Sequence, residues 1–96
     1  MKLSIQAVNF DIANRLNEHI EKKTKRFSKL LPENAEMEVK MTLVKPETNM
    51  NKEAQISVRG VGSELFAKKI CDTFEQSVDD TLEAIERQLE RIKTNK

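Results

Sequence analysis

The sequence predicts an α+β domain of order β-α-β-β-β-α, a four-stranded sheet with two helices packed on one face. Three observations predict it. Residues 1–8, 35–44 and 54–59 alternate apolar with polar side chains, the period of strands with one buried face. Residues 12–31 and 73–96 change to the three-to-four spacing of amphipathic helices. The later strands are joined by short polar or glycine-bearing connections, which makes an antiparallel meander. The first strand reaches the second through a helix, so those two can lie parallel and adjacent.

Each element has its own justification. Met1, Leu3, Ile5 and Ala7 alternate with Lys2, Ser4, Gln6 and Val8. Asn9-Phe10-Asp11 breaks the alternation, and Asp11 is a candidate N-cap for a helix over 12–30. That helix aligns Ile12, Leu16, Ile20, Phe27 and Leu31 on one side, with Lys23 and Thr24 in the intervening turn. It ends at Leu31-Pro32, since proline disfavours helical geometry in the residue before it. Ala35, Met37, Val39, Met41 and Leu43 give the second strand, residues 46–51 a hairpin-type connection, and Ala54, Ile56 and Val58 the third strand. Gly60-Val61-Gly62-Ser63 is a tight turn, and a fourth strand is expected over 64–70 with less distinct faces. The last helix aligns Phe74, Val78, Leu82, Ile85, Leu89 and Ile92, spaced by four, four, three, four and three, with Asp72 or Thr73 as its cap. The outer sheet face, with Lys2, Gln6, Glu36, Glu38, Lys40, Gln55 and Arg59, is left to water.

Ninety-six residues make one domain without room for a second core. Net charge is +1, so any affinity for nucleic acid must come from how charge is distributed rather than from its sum. The single cysteine, Cys71, cannot form an internal disulfide, which fits a reducing cytosol, and it reads as a small filler. No apolar run is long enough for a signal peptide or a membrane span, so a soluble cytoplasmic protein without membrane partners is expected. No phosphate-binding glycine loop, Gly-x-Ser-x-Gly or metal-ligand spacing occurs, and the one histidine, His19, reads as a packed or half-exposed helix residue. Glu75, Asp79, Glu83, Glu86 and Glu90 read as a solvated helix face. The expectation is a binding protein, with no enzymatic activity, no cofactor, no metal and no small-molecule substrate.

The chemistry left to explain is cationic. Opposite the apolar stripe of the first helix stand Arg15, Lys22, Lys25, Arg26 and Lys29, and the late turns of the last helix add Arg87, Arg91, Lys93 and Lys96. Two readings stand: a solvated face that aids solubility, with Arg87 pairing to Glu83 one turn back as an ordinary surface ion pair, or a phosphate-contacting edge, since closely spaced cations release condensed counterions from a polyanion. If the two helices lie side by side, these basic stretches flank a shared groove. There is no Trp or Tyr and the four Phe read mostly as core, so backbone and shape recognition of folded RNA is expected rather than base stacking.

Several stretches together resemble a known family: Met1-Lys2-Leu3-Ser4-Ile5-Gln6, Phe10-Asp11-Ile12, the basic run from Ile20 to Lys29, and Val78-Asp79 followed by Leu82, Ile85 and Glu86-Arg87-Gln88-Leu89. Over nearly its whole length the chain is similar to the short ribosome hibernation-promoting factors, also called ribosome-associated inhibitor A, ribosomal subunit interface or sigma-54 modulation proteins. The resemblance implies the same β-α-β-β-β-α fold. It implies binding to 16S-type rRNA of the small ribosomal subunit, in the channel used by mRNA and tRNA, and inhibition of translation in stationary phase or stress. It also implies a chain that is monomeric off the ribosome and lacks the C-terminal dimerisation domain of long members. Carried over by position, the RNA-contacting residues are Lys23, Arg26, Lys29, Arg87 and Arg91, and the helical stripe adds Lys22, Lys25 and Lys93. Ala84 stands where many members have Lys, and Ile70 to Glu75 departs from their usual start of the last helix.

Two other readings compete. A double-stranded-RNA-binding module shares the α-β-β-β-α order but needs a lysine-rich start to its last helix, where this chain has Asp72, Glu75, Asp79 and Asp80. A protein adaptor would need a large apolar patch on the open sheet face, and that face reads as mixed charge.

Overall fold

Strands β1 (Lys2–Val8), β2 (Glu36–Leu43), β3 (Lys52–Arg59) and β4 (Leu65–Cys71) lie side by side in that order in one sheet. The computed structural model describes residues 1–45 and 49–94, without the side chains of residues 93 and 94. The middle of the expected hairpin connection after β2 therefore lies outside the described residues. β1 pairs parallel with β2, while β2–β3 and β3–β4 are antiparallel. Register follows the apolar alternation. Leu3, Ile5 and Ala7 stand opposite Met37, Val39 and Met41, which in turn face Val58, Ile56 and Ala54. The β2 and β3 members of this set are fully buried. A one-residue slip would turn all of them to water.

The helices α1 (Asn14–Thr24), α2 (Phe27–Leu30) and α3 (Phe74–Thr94) cover that face, and one core joins Leu16, Ile20, Phe27, Val78, Leu82 and Ile85 to the strands. The expected element order holds, with the first helix in two pieces. It starts at Asn14 rather than Ile12, and its N-cap is Ala13, with no side-chain cap; Asp11 does not serve. The residues before it are spent on packing: Asn9 turns at φ 70, Phe10 stacks on Phe74 with centroids 4.2 Å apart, and Ile12 packs on the core. The break at Lys25-Arg26 directly follows Thr24. This residue is buried on the apolar stripe, and its hydroxyl donates to the Ile20 carbonyl at 2.8 Å. Such back-bonding loosens a helix locally. The chain keeps right-handed helical angles at Lys25 and Arg26 and resumes with bonds that span three residues instead of four, Ser28 N–H to Lys25 O at 3.2 Å and Lys29 N–H to Arg26 O at 3.3 Å. Leu31 then turns extended before Pro32, as expected.

Thr73 is the cap of α3, its Oγ1 accepting the Gln76 N–H at 3.1 Å, while Asp72 instead accepts the Met50 N–H at 2.9 Å. Two buried polar residues widen the buried side of α3 beyond the apolar stripe. Ser77 and Thr81 bond to helix carbonyls one turn back and reach the Lys52 and Ala54 carbonyls of β3. Small hydroxyls there let helix and sheet approach without an unpaired donor.

β4 is an edge strand, and two of its outward apolar residues, Phe66 and Ile70, stay partly exposed. Phe66 is the exception to an otherwise core set, as Phe27 is buried and Phe10 and Phe74 stack on each other against the core. The Gln88 carboxamide of α3 takes both backbone groups of Phe66, accepting its N–H at 3.3 Å and donating to its carbonyl at 2.8 Å. Bare strand edges invite pairing with another chain, and this side chain occupies the site.

Two predictions follow from the turns and edge. Gly60 has φ 91, and a Cβ there would meet Ala35 Cα at 3.0 Å, whereas Gly62 has φ 90 and open space around it. Gly60→Ala is expected to cost about 2–4 kcal/mol and Gly62→Ala about 1–2 kcal/mol. Urea unfolding measures both, and equal losses would refute the close approach at Gly60. Gln88→Ala is expected to cost about 1 kcal/mol and to raise self-association, read by sedimentation velocity; an unchanged sedimentation profile with unchanged stability would exclude the edge-guard role.

Candidate nucleic-acid interface

Two contacts set the relation of the helices. His19 Nε2 lies 2.9 Å from Asp79 Oδ1, and Arg26 Nη2 lies 2.8 Å from Glu86 Oε2. The partners advance by seven residues in the same direction on each helix, so the α1–α2 rod and α3 run parallel. Further along, Leu30 shares a cleft with Leu89 and Glu90. Lys29 and Arg91 are therefore at the same end of the molecule.

Both helices bury one stripe against the sheet, so side chains opposite that stripe face outward on the helical layer. At about 100° per residue, Lys22, Lys25 and Lys29 lie opposite Leu16, Ile20 and Phe27. All three are exposed. By the same count Arg87 and Arg91 lie opposite the buried Val78, Leu82, Ile85 and Leu89, and both are exposed. The two sets share one outer surface. Lys23 and Arg26 sit nearer the junction of the helices, where they line a cleft with Lys22, Asp79 and Leu82. Lys93, also expected here, has its side chain outside the described residues.

The expected groove flanked by two basic walls is not what separates these sets. Glu75, Asp79, Glu86 and Glu90, spaced by four, seven and four, form one stripe of α3 that lines the clefts against the α1–α2 rod. Asp79 and Glu86 are half-buried rather than part of a solvated face. The surface is thus a basic ridge on the rod, an acidic seam, and a second basic edge on α3. The stripe was readable in spacing, but nothing in a single helix says which flank its neighbour will cover. The seam also answers for His19, which clasps Asp79, with the Nε2 proton donated to the carboxylate.

The cations differ in how far they are already neutralised. Arg26 is in contact with Glu86, and Arg87 bonds Glu83 one turn back. Lys22, Lys23, Lys25 and Lys29 form no ion pair among the described residues. Such a lysine row offers point charges for phosphate without first breaking a protein contact.

Cys71 ends β4, buried, with Sγ 3.4 Å from Asp80 Oδ2. Burial pushes its thiol up from the ordinary range; a hydrogen bond with Ser77 opposes this, and the carboxylates of Asp80 and Asp72 add to it. A thiol held protonated is a poor nucleophile. Among the described residues, no group of His, Cys, Asp and Glu could hold a metal ion, and no helix is long and apolar enough to cross a membrane.

Comparison with known proteins gives a consistent result. Residues 3–96 match the family model described as sigma 54 modulation protein / S30EA ribosomal protein. The fold is similar to the crystal structure of the Thermus thermophilus Protein Y N-terminal domain, with TM-score 0.79 and 18% identity over 96% of this chain and 99% of that one. It is also similar to a ribosomal subunit interface protein from Coxiella burnetii, with TM-score 0.82 and 22% identity over 99% of this chain and 100% of that one. No curated protein matches the chain.

The Cys71 environment generates a prediction. At pH 8 a thiol-reactive disulfide reagent should label the native protein at least about ten-fold more slowly than the urea-unfolded chain, because the raised pKa and burial both remove accessible thiolate. Equal rates would show that the thiol is open.

Proposed function

The chain belongs to the sigma 54 modulation protein / S30EA ribosomal protein family, and on that premise we propose that it binds the small ribosomal subunit through rRNA and inhibits translation in stationary phase or stress. The family description supports association with the ribosome, and the printed name of the Coxiella burnetii relative points to a subunit interface. The observation that carries the finer reading is the outward row of Lys22, Lys25 and Lys29, with Lys23 beside it, set at the same end of the helical layer as Arg87 and Arg91. Phosphates of folded RNA lie at spacings that such ridges can follow without reading bases, and the contacts position rather than specify. The protein acts by occupancy, as a cytoplasmic binding protein without catalysis, cofactor or metal. Among the described residues of the sheet face, Phe66 and Ile70 do not merge into a large apolar patch, since Lys68, Gln55 and Glu53 flank them, which disfavours the adaptor reading.

Pelleting with purified small subunits tests this. Binding should be present at low salt and weaken steeply as salt rises, because each phosphate contact contributes to the slope. Lys25→Glu with Lys29→Glu should lower affinity by about ten-fold or more with the urea midpoint unchanged. Arg87→Gln should cost less, since Glu83 already neutralises that guanidinium. Free protein in the supernatant at low salt, with intact subunits in the pellet, would defeat the proposal.

A further inference from the structure

We propose that Glu86 is a built-in competitor of RNA phosphate for Arg26, so that this carboxylate sets the affinity of the interface below what its cations alone would give. The inference rests on the RNA-binding reading above and concerns how that same surface is tuned.

Glu86 projects from α3 into the seam, in the cleft that holds Arg26, Leu30, Leu89 and Glu90. Its Oε2 is buried and accepts no aligned hydrogen bond, although Arg26 Nη2 stands 2.8 Å away. The pair is thus a charge contact rather than a directed bond. A carboxylate built to aim an arginine would take its fork through two parallel bonds, and here one Nη2–Oε2 approach is made. This buried Oε2 is therefore poorly satisfied, with Arg26 as its close cationic contact.

Arg26 is differently placed. Its side chain is 59% exposed, against 33% for Glu86, and its Cζ lies 5.3 Å from the centroid of the Phe27 ring. It stands at the join of α1 and α2 and lines a cleft with Lys22 and Lys23, so a phosphate held by those lysines comes within reach of its outer N–H groups. When the guanidinium turns to phosphate, one ion pair replaces another, and the Glu86 carboxylate is left half-buried without its cation. That residual charge also repels the arriving polyanion. Both effects oppose binding. Because exposed ion pairs are weak, the expected penalty is a few-fold in affinity rather than orders of magnitude. The lysines of the row carry no such counterweight among the described residues.

The test is a double-mutant cycle on the full chain, with purified small ribosomal subunits as probe and affinity measured across a salt series. Glu86→Gln should tighten binding about three-fold and steepen the slope of log affinity against log salt by about one, as one more cation becomes available. Arg26→Met should weaken binding, and Glu86→Gln added to Arg26→Met should restore little of it. The urea midpoint of each variant reports that the fold is kept. Wild-type binding with Glu86→Gln neutral or weaker would overturn the inference and assign Glu86 to positioning, leaving the ribosome-binding reading intact. Equal tightening with and without Arg26 would overturn it as well, showing general charge repulsion instead of competition for that residue. Absence of wild-type binding would overturn the reading and the inference together.

Discussion

The parallel pairing of β1 with β2 is the constraint on which the rest of the architecture depends. Parallel neighbours need a crossover, so the α1–α2 rod must travel back against both strands. β3 then runs opposite to β2, and β4 opposite to β3, which returns β4 to the direction of β1. α3, following β4 and packed on β3 and β4, travels back in its turn. The two helical rods are therefore forced into the same direction, and the contacts of His19 with Asp79 and of Arg26 with Glu86 record it. A basic row late in each helix becomes one feature of the molecule only because of this strand order.

Within that frame, charge is arranged across the helical layer and not merely along it. The apolar stripes take the side facing the sheet. The flank of α3 turned to the rod carries carboxylates, which tie the helices through partly exposed contacts of small individual strength. The outer side keeps lysines and arginines. A net charge of +1 hides this layering, since acids and bases nearly cancel in the sum while occupying different strips of surface.

Much of the fold was legible in the sequence because strand and helix periods differ sharply. The alternation at Met37, Val39 and Met41 and the repeat from Val78 to Leu89 each admit one reading, and both were found buried as expected. What was not legible depends on neighbours in space. Thr24, Ser77 and Thr81 are polar by type and buried in fact, since a hydroxyl can bond a carbonyl one turn back and then behave as a small core residue. The late start at Asn14 reflects the tertiary contacts of Phe10 and Ile12 rather than any cap residue. At the interface, the outward lysines were legible as the polar side of an amphipathic helix. The acidic seam was not, because Asp79 and Glu86 differ from solvated carboxylates only through the helix that lies beside them.

The Gln88 carboxamide stands in for the peptide of an absent fifth strand, and this gives it a second consequence. It adds a polar pin to the buried apolar stripe that already sets the rotation of α3 against the sheet, and helical geometry then places Arg87 and Arg91 on the opposite side. An uncharged side chain at the rim of a sheet thus helps hold the bearing from which positive charge emerges on another layer. Neutral replacements along that rim belong among the determinants of electrostatic shape, although they alter no formal charge.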